Sequence, residues 1–241
     1  LRQLHSQIGE TELVERASYI WFNRLCAWRY MDLHHVTEVG LVSAVAGLGQ
    51  PEIMGDVKAG IFDCRLLDES AIESVTKMLD EPKKYGNAHW KIYRLVLDGA
   101  AQYWRAKLPF LFREQDDWAN ILLPEDIISV DGLLTQMNQA MQLPDCQNVE
   151  VIGWLYQYYL AERKARVYAK FQQNCKVDSG EISAATGLYT PEWIVRYLLD
   201  NTLGRLWLAS HPDSPLRKRL QYYIEPQGQI APAAEVISPE D

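Results

Sequence analysis

A chain of 241 residues with 48% hydrophobic and 23% charged side chains is suited to one or two folded domains, which excludes a disordered protein. Its apolar runs are far shorter than the roughly 20 residues of a membrane helix, and its start lacks the features of a signal peptide, so we expect no membrane partner. Four widely spaced cysteines without a CxxC pair are typical of reduced thiols, so we expect a cytoplasmic protein without a zinc site or disulfide framework.

The net charge of −8 is unevenly distributed along the chain. Residues 1–150 carry 14 basic and 22 acidic side chains, residues 151–224 carry 10 basic and 6 acidic ones, and the last 17 residues carry 4 acidic and no basic ones. Because Lys and Arg meet the phosphates of nucleic acids, the stretch 151–224 is the better candidate for a DNA contact. Its modest positive excess is equally consistent with a solvated helix face.

Helical periodicity dominates the first half of the chain. Apolar residues recur every three or four positions over residues 12–34, which predicts a long helix with one apolar face. A shorter helix is expected over residues 69–80, before Pro82, and another long helix over residues 89–107, which Pro109 ends.

Other parts of the first half carry weaker signals. The short apolar runs 41–46 and 57–62 fit a strand or a helix equally well. Residues 110–124 mix aromatic and acidic side chains without a clear period, which predicts an ordered loop with short turns. We expect Asp131 to cap a helix over residues 132–141.

The second half begins with residues 149–172, which we predict to be the longest helix. The apolar side chains on or near one of its faces, expected to pack in a core, are Trp154, Leu155, Tyr158, Tyr159 and Val167. Thr190 and Pro191 are expected to begin a further helix that runs to about Leu208, with proline at the first helical position, where its missing N–H costs nothing. From Glu225 onward, Pro, Gly, Gln and Ala indicate a linker or a frayed end.

No self-contained active site is recognisable in the sequence. The five histidines lack the spacing of metal ligands, and Gly47-Leu48-Gly49 has no third glycine to make a phosphate-binding loop. GxSxG and P-loop motifs are absent from the 241 residues. We therefore expect neither a catalytic residue nor a metal site in this chain.

Three long segments, rich in Trp, Tyr and Cys, carry a resemblance to a known family. They are residues 19–31, residues 149–159, and residues 184–195 followed by 201–207. In this order they resemble segments from the N-terminal region of PglX-type adenine-specific DNA methyltransferases of BREX phage-defence systems. The resemblance spans positions 19 to 207.

The resemblance implies that Tyr189, Thr190 and Pro191 correspond to motif X of the amino-methyltransferases. In that family, motif X lies at a helix start beside the methionine end of S-adenosylmethionine. A helix N-terminus suits the carboxylate of this cofactor because it offers backbone N–H groups and the positive end of the helix dipole. Thr190 would add a hydrogen bond from its hydroxyl, and Tyr189 would pack against the cofactor.

The family's glycine-rich motif I, of the form Asp-Pro-x-Cys-Gly-Ser-Gly, and its Asn-Pro-Pro-Tyr motif IV do not occur in this sequence. The chain also lacks a start methionine, so we expect an inactive N-terminal fragment that meets only the edge of S-adenosylmethionine. The expected fold is mainly α, with an N-terminal helical domain over residues 1–145. Residues 146–224 would be a helical lead-in to a truncated Rossmann-like methyltransferase domain, and residues 225–241 a linker or frayed end.

For the whole enzyme, the resemblance implies methyl transfer to adenine N6 in duplex DNA, with the base flipped out of the stack, and other BREX proteins as partners. Two alternatives remain open. The acidic N-terminal region would suit a non-catalytic module that docks other defence proteins. The chain would otherwise be a DNA-binding helical module, whose phosphate-contacting residues would be Arg163, Lys164, Arg166, Lys170, Arg217, Lys218 and Arg219.

Overall fold

The computed structural model describes residues 1–44 and 49–225, except for the side chains of residues 179, 180, 183 and 184. Within these residues every regular element is a helix, and the β pairing is limited to one isolated bridge between Ala44 and Pro51. The mainly α fold predicted from the sequence is therefore confirmed. None of the described helices is both long and apolar enough to cross a membrane.

The chain divides into two compact units, Leu1–Ile152 and Gly153–Asp241. The division lies seven residues beyond the boundary at 145/146 that we predicted from the sequence, which stays a prediction. Most of the expected linker, residues 226–241, and most of the Gly47-Leu48-Gly49 segment lie outside the described residues.

The described part of the first unit contains more helices than the sequence predicted, and the first of them begins before the first predicted helix. They are α1 (Arg2–Ile8), α2 (Glu10–Leu33), α3 (Glu52–Lys58), α4 (Glu69–Asp80), α5 (Ala88–Arg105) and α6 (Leu133–Ala140). A short 3₁₀ segment at Pro82–Tyr85 lies between α4 and α5, and two more, Glu114–Leu122 and Glu125–Ile128, lie between α5 and α6. Side-chain caps begin two of the helices: Asp68 accepts from the Ala71 N–H at 2.7 Å, and Asn87 accepts from the Trp90 N–H at 3.3 Å.

Aromatic side chains of α2 and α5 form the centre of the first unit's core. Trp28 is completely buried, and its ring centroid lies 5.1 Å from that of Phe112. The indole N–H of Trp21 donates to the carbonyl of Ala119 at 2.9 Å. These contacts order the segment 110–124, where the sequence predicted a loop with short turns and the structure has mainly a 3₁₀ segment.

A buried carboxylate at the end of α2 determines the path of the chain that follows. Asp32 accepts hydrogen bonds from the backbone N–H groups of Leu41, Val42 and Ser43 at 3.1, 3.0 and 2.9 Å, and from the hydroxyl of Thr37 at 2.6 Å. Because these N–H groups are used, the described part of the run 41–46 does not form a strand. The run 57–62 begins in the last turns of α3 and leaves the helix after Lys58.

The second unit is built on helices α7 (Glu150–Gln172, which begins in the last residues of the first unit), α8 (Ser179–Thr186), α9 (Glu192–Asn201) and α10 (Leu203–Ser210), and a 3₁₀ segment at Pro215–Arg219. With 23 residues, α7 is one residue shorter than α2, so the prediction that it is the longest helix was wrong. The single helix expected to reach Leu208 is interrupted at Thr202, whose φ of −112° and ψ of −83° lie outside the helical range.

The segment after the 3₁₀ turn folds back along α9. The carboxylate of Asp200 accepts from the N–H of Tyr222 at 2.8 Å, and the amide of Asn201 pairs with the Tyr222 carbonyl and the Ile224 N–H at 2.8 and 2.9 Å. These bonds hold residues 222–224 against the C-terminal end of α9 through the side chains of its last two residues.

Two further predictions were wrong in detail. The N-cap of α6 is Gly132 rather than Asp131, and it has no side-chain cap. Trp154 and Tyr158, which we expected in a core, are exposed, whereas Val167 on the same helix is buried as predicted. Helical spacing identifies side chains that share a face, but whether that face is covered depends on other elements.

Candidate functional site

The segment that precedes α9 is held against α7 at Tyr189. The side-chain amide of Gln157 donates to the backbone carbonyl of Tyr189 at 3.1 Å. The aromatic ring of Tyr189 lies directly on the backbone of α7 at Gly153, where an added Cβ would be 2.5 Å from the ring atom Cγ and 2.6 Å from Cε2. Two segments that the sequence analysis singled out separately, 149–159 and 184–195, therefore meet in the tertiary structure.

The N-terminus of α9 follows this contact at once. Pro191 has φ −53° and ψ 141° and precedes the first helical residue, Glu192, so proline lies one position earlier than we predicted. The carbonyl of Pro191 accepts from the N–H of Ile194 at 3.0 Å. As the N-cap residue, Pro191 supplies no side-chain acceptor, so the first turn of α9 begins without the usual Ser, Thr, Asp or Asn cap.

Residues around this helix start are open on the surface of the described structure. Leu188 is 73% exposed, Tyr189 37% and Trp193 57%, and Thr190 is also exposed. Further large apolar residues of α9 and α10 that are exposed are Val195, Tyr197, Leu198, Leu199, Leu203, Leu206 and Trp207. A large contiguous patch of exposed apolar side chains usually marks a binding surface, whereas an ordinary solvent-facing helix lacks such a patch.

The basic residues of α7 that we proposed as phosphate contacts are partly engaged by the protein itself. Lys170 forms an ion pair with Glu181 at 2.5 Å, and this hydrogen bond is the main reason why the pKa of Glu181 lies below its usual value. The positive charge of Arg163 acts on Glu181 in the same direction. Lys164 is half-buried and Arg166 is exposed.

The basic residues of the 3₁₀ segment Pro215–Arg219 are also partly engaged by the protein itself. The guanidinium of Arg217 is 3.0 Å from the carboxylate of Glu225 and lies over the ring of Tyr223, 4.5 Å from its centroid. Lys218 and Arg219 are exposed. Of the seven predicted phosphate contacts, Lys170 and Arg217 would have to leave an internal carboxylate to bind DNA.

The two buried thiols of the first unit, Cys26 and Cys146, have the environments of structural rather than reactive cysteines. Cys26 and Cys146 are buried and free, and Cys64 and Cys175 are exposed and free. Burial raises the pKa of the Cys26 thiol to about 11, with a smaller contribution from nearby Cys146. Among the described residues, no cluster of three or more His, Cys, Asp or Glu side chains is arranged to hold a metal ion.

Sequence reasoning proposed Tyr189, Thr190 and Pro191 as site residues but gave no role to Gly153 and Gln157, which the structure places against Tyr189. Helical periodicity shows which side chains share a face of a helix, and it gives no information about a glycine, which has no side chain. The available signal was a glycine within an otherwise large-residue helix, which frequently has a packing reason.

Comparison with known proteins relates the chain to two methyltransferases. It is 40% identical over 221 residues to the adenine-specific methyltransferase BrxX of Escherichia coli O9:H4 (strain HS), which covers 92% of this chain and 18% of BrxX. It is 31% identical over 207 residues to the adenine-specific methyltransferase PglX of Lacticaseibacillus casei (strain Zhang), which covers 82% of this chain and 16% of PglX. No protein-family model matches the chain.

These similarities confirm the resemblance to PglX-type BREX methyltransferases that was predicted from the sequence. The chain spans less than a fifth of the length of either relative.

Proposed function

We propose that this chain is part of an S-adenosylmethionine-dependent enzyme that methylates adenine N6 in duplex DNA as a component of a BREX phage-defence system. The 40% identity to an adenine-specific methyltransferase over 92% of the chain is the observation that carries the proposal. The adenine would be flipped out of the duplex, because its amino group is otherwise inaccessible to a cofactor. We further propose that other BREX proteins are its partners.

Tyr189, Thr190 and Pro191 are the residues that we propose to contact the methionine end of S-adenosylmethionine. Three observations support this assignment. The N-cap residue of α9 supplies no side-chain acceptor, so the first N–H groups of the helix suit an external carboxylate. Thr190 is exposed and offers a hydroxyl, and Tyr189 is 37% exposed although its ring rests on α7.

S-adenosylmethionine, when bound, supplies the methyl group that is transferred. The remaining contacts with it would come from a Rossmann-like domain that carries motifs I and IV, neither of which occurs in these 241 residues. We therefore propose that this chain alone does not transfer methyl groups and contributes only an edge contact to the cofactor.

The test is the affinity for S-adenosylmethionine of the protein as encoded by its gene, measured by isothermal titration calorimetry. Thr190→Ala should raise Kd about tenfold, because one hydrogen bond to a charged group is worth about 1.5 kcal/mol or more. Thr76→Ala, which removes an exposed hydroxyl from α4 in the first unit, is the matched control and should leave Kd unchanged.

Adenine-N6 methylation of duplex DNA, followed with a labelled methyl donor, tests the reaction itself. Equal affinities of the wild-type protein and Thr190→Ala would remove Thr190 from the cofactor site. A wild-type protein that neither binds S-adenosylmethionine nor methylates DNA would refute the proposed function.

The exposed apolar residues of α9 and α10 favour a second candidate, a non-catalytic interaction module. In that case the protein would bind another defence protein without any effect of S-adenosylmethionine on the complex. The calorimetric experiment separates the two candidates, since only the enzyme requires the cofactor.

A further inference from the structure

We infer that Gly153 and Gln157 are positioning residues that hold the Tyr189-Thr190-Pro191 turn in place for its cofactor contact. The inference rests on the proposed function, because it concerns the same turn. It goes further in assigning a role in the cofactor site to α7, for which the sequence predicted only core packing and phosphate contacts.

Gly153 provides the space for the ring of Tyr189. An ideal Cβ at position 153 would lie 2.5 and 2.6 Å from two ring atoms, closer than real Cβ contacts ever come. Any side chain at this position therefore displaces the ring. Glycine inside a helix costs roughly 1 kcal/mol of stability relative to alanine. The packing of the Tyr189 ring against Gly153 offsets this cost.

Gln157 holds the main chain of the same residue. It lies four positions after Gly153, so the two share a face of α7. Its amide donates to the Tyr189 carbonyl at 3.1 Å. The ring and the backbone of Tyr189 are thus both held by one helix face, which restrains the position and the orientation of the peptide that leads into Thr190.

This arrangement matters for an anionic ligand because of where the Tyr189 carbonyl is directed. A carbonyl oxygen carries partial negative charge and repels a carboxylate placed near it. The bond from Gln157 keeps this oxygen engaged with α7, three residues before Glu192, which carries the first N–H group of α9. Losing the bond would free the carbonyl to rotate and would loosen the turn.

The experiment compares matched pairs of variants in the protein as encoded by its gene. Gly153→Ala is paired with Gly55→Ala, a substitution on α3 where a Cβ would meet nothing within 4 Å. Gln157→Glu, which keeps the shape of the side chain but removes its N–H donor, is paired with Gln102→Glu at an exposed position of α5. The two readouts are hydrogen–deuterium exchange of residues 188–192 without ligand and the calorimetric Kd for S-adenosylmethionine.

We expect Gly153→Ala to increase both the exchange rate of residues 188–192 and Kd by about tenfold, as a local loss of roughly 1.4 kcal/mol would. Gln157→Glu should increase both by about threefold to tenfold. Neither control should change either quantity. In a Tyr189→Ala background, Gly153→Ala should have no further effect on Kd, because the ring that it displaces is gone.

Each outcome decides the inference. If the wild type binds the cofactor and Gly153→Ala and Gln157→Glu behave like their controls, the positioning role is refuted and the proposed function stands. Faster exchange without a change in Kd also refutes it, since the contact would then be merely structural. A wild type that does not bind the cofactor refutes the proposed function and the inference together. Should Gly153→Ala fail to fold, Gln157→Glu on the helix surface gives the same decision.

Discussion

The two units of the molecule treat the same residue type in opposite ways. In the first unit Trp28 is completely buried and Trp21, Trp90 and Trp104 are nearly so, whereas in the described part of the second unit Trp154, Trp193 and Trp207 are all exposed. Both units are helical, so the difference does not lie in secondary structure. Helices form from local patterns, but a core needs partners, and the apolar surface of the second unit is of the kind that another polypeptide or a ligand covers.

The largest contrast is expected between two tryptophan truncations. Trp28→Ala should lower the free energy of unfolding by about 4 kcal/mol, because it removes a fully buried side chain and leaves a cavity. Trp193→Ala should change it by no more than about 0.5 kcal/mol, because the side chain is 57% exposed. Urea unfolding followed by circular dichroism measures both, and similar losses for the two variants would abolish the distinction between the units.

A second contrast concerns glycines in helices of the first unit. A Cβ at Gly99 would lie 2.7 Å from the carbonyl carbon of Leu66, so the backbone itself would have to move. Gly99→Ala should therefore cost about 3 kcal/mol, the upper part of the range for overpacked cores. Gly55→Ala, in open space, should instead stabilise the protein by up to about 1 kcal/mol through helix propensity.

The Gly99→Ala substitution tests how rigid the first unit is. Thermal unfolding of the two glycine variants measures these effects, and the changes in stability must have opposite signs. A neutral Gly99→Ala would mean that the backbone around Leu66 moves readily to accommodate the added Cβ.

The third contrast is between a buried and an exposed thiol as the pH rises. The pKa of Cys26 is raised from 9.0 to about 11, so the folded state holds this proton more tightly than the unfolded state does. This contribution to stability is fully present below pH 9 and is lost as the pH rises, and the loss amounts to about 2 kcal/mol by pH 11. Cys26→Ala should accordingly lose less stability than wild type over this interval.

Cys175→Ala in the second unit is the control for this titration, since Cys175 is exposed. Its loss of stability between pH 9 and 11, measured by urea unfolding at each pH, should match that of wild type. Parallel curves for Cys26→Ala and wild type would contradict the role of Cys26 burial.

The smallest expected effect is on DNA binding by the exposed basic residues of the second unit. Replacing Lys218 and Arg219 together with Ala should reduce the slope of log Kd against log salt concentration by about 2, roughly 0.9 for each lost phosphate contact. The control replaces Lys83 and Lys84, which are exposed on the acidic first unit. Fluorescence anisotropy with a labelled duplex measures the slopes, and equal slopes for the two double variants would exclude Lys218 and Arg219 from the DNA contact.

Much of the secondary structure could be predicted from the sequence alone. The helices expected over residues 12–34, 69–80, 89–107 and 149–172 correspond to α2, α4, α5 and α7. They were predictable because a repeat of three and four residues and the prolines that end helices act within a single element. The relationship to PglX-type methyltransferases was also readable from three segments of the sequence.

The prediction of the candidate site was less complete. Its turn, Tyr189 to Pro191, could be identified as a segment, but the support that it receives from Gly153 and Gln157 could not. These residues are more than thirty positions away in the chain, and neither a missing side chain nor a single amide identifies its partner.

Tertiary structure alone decided which of the predicted faces are covered. Trp154 and Trp28 both lie on regular apolar stripes, yet only Trp28 has Phe112 and the rest of a core packed against it. The Asp32 carboxylate directed the segment after α2 away from a strand, and Asp200 and Asn201 bound the chain that folds back on α9. The physical reason is the same in each case: periodicity records which side chains of one element point together, whereas burial and hydrogen bonding depend on elements distant in sequence.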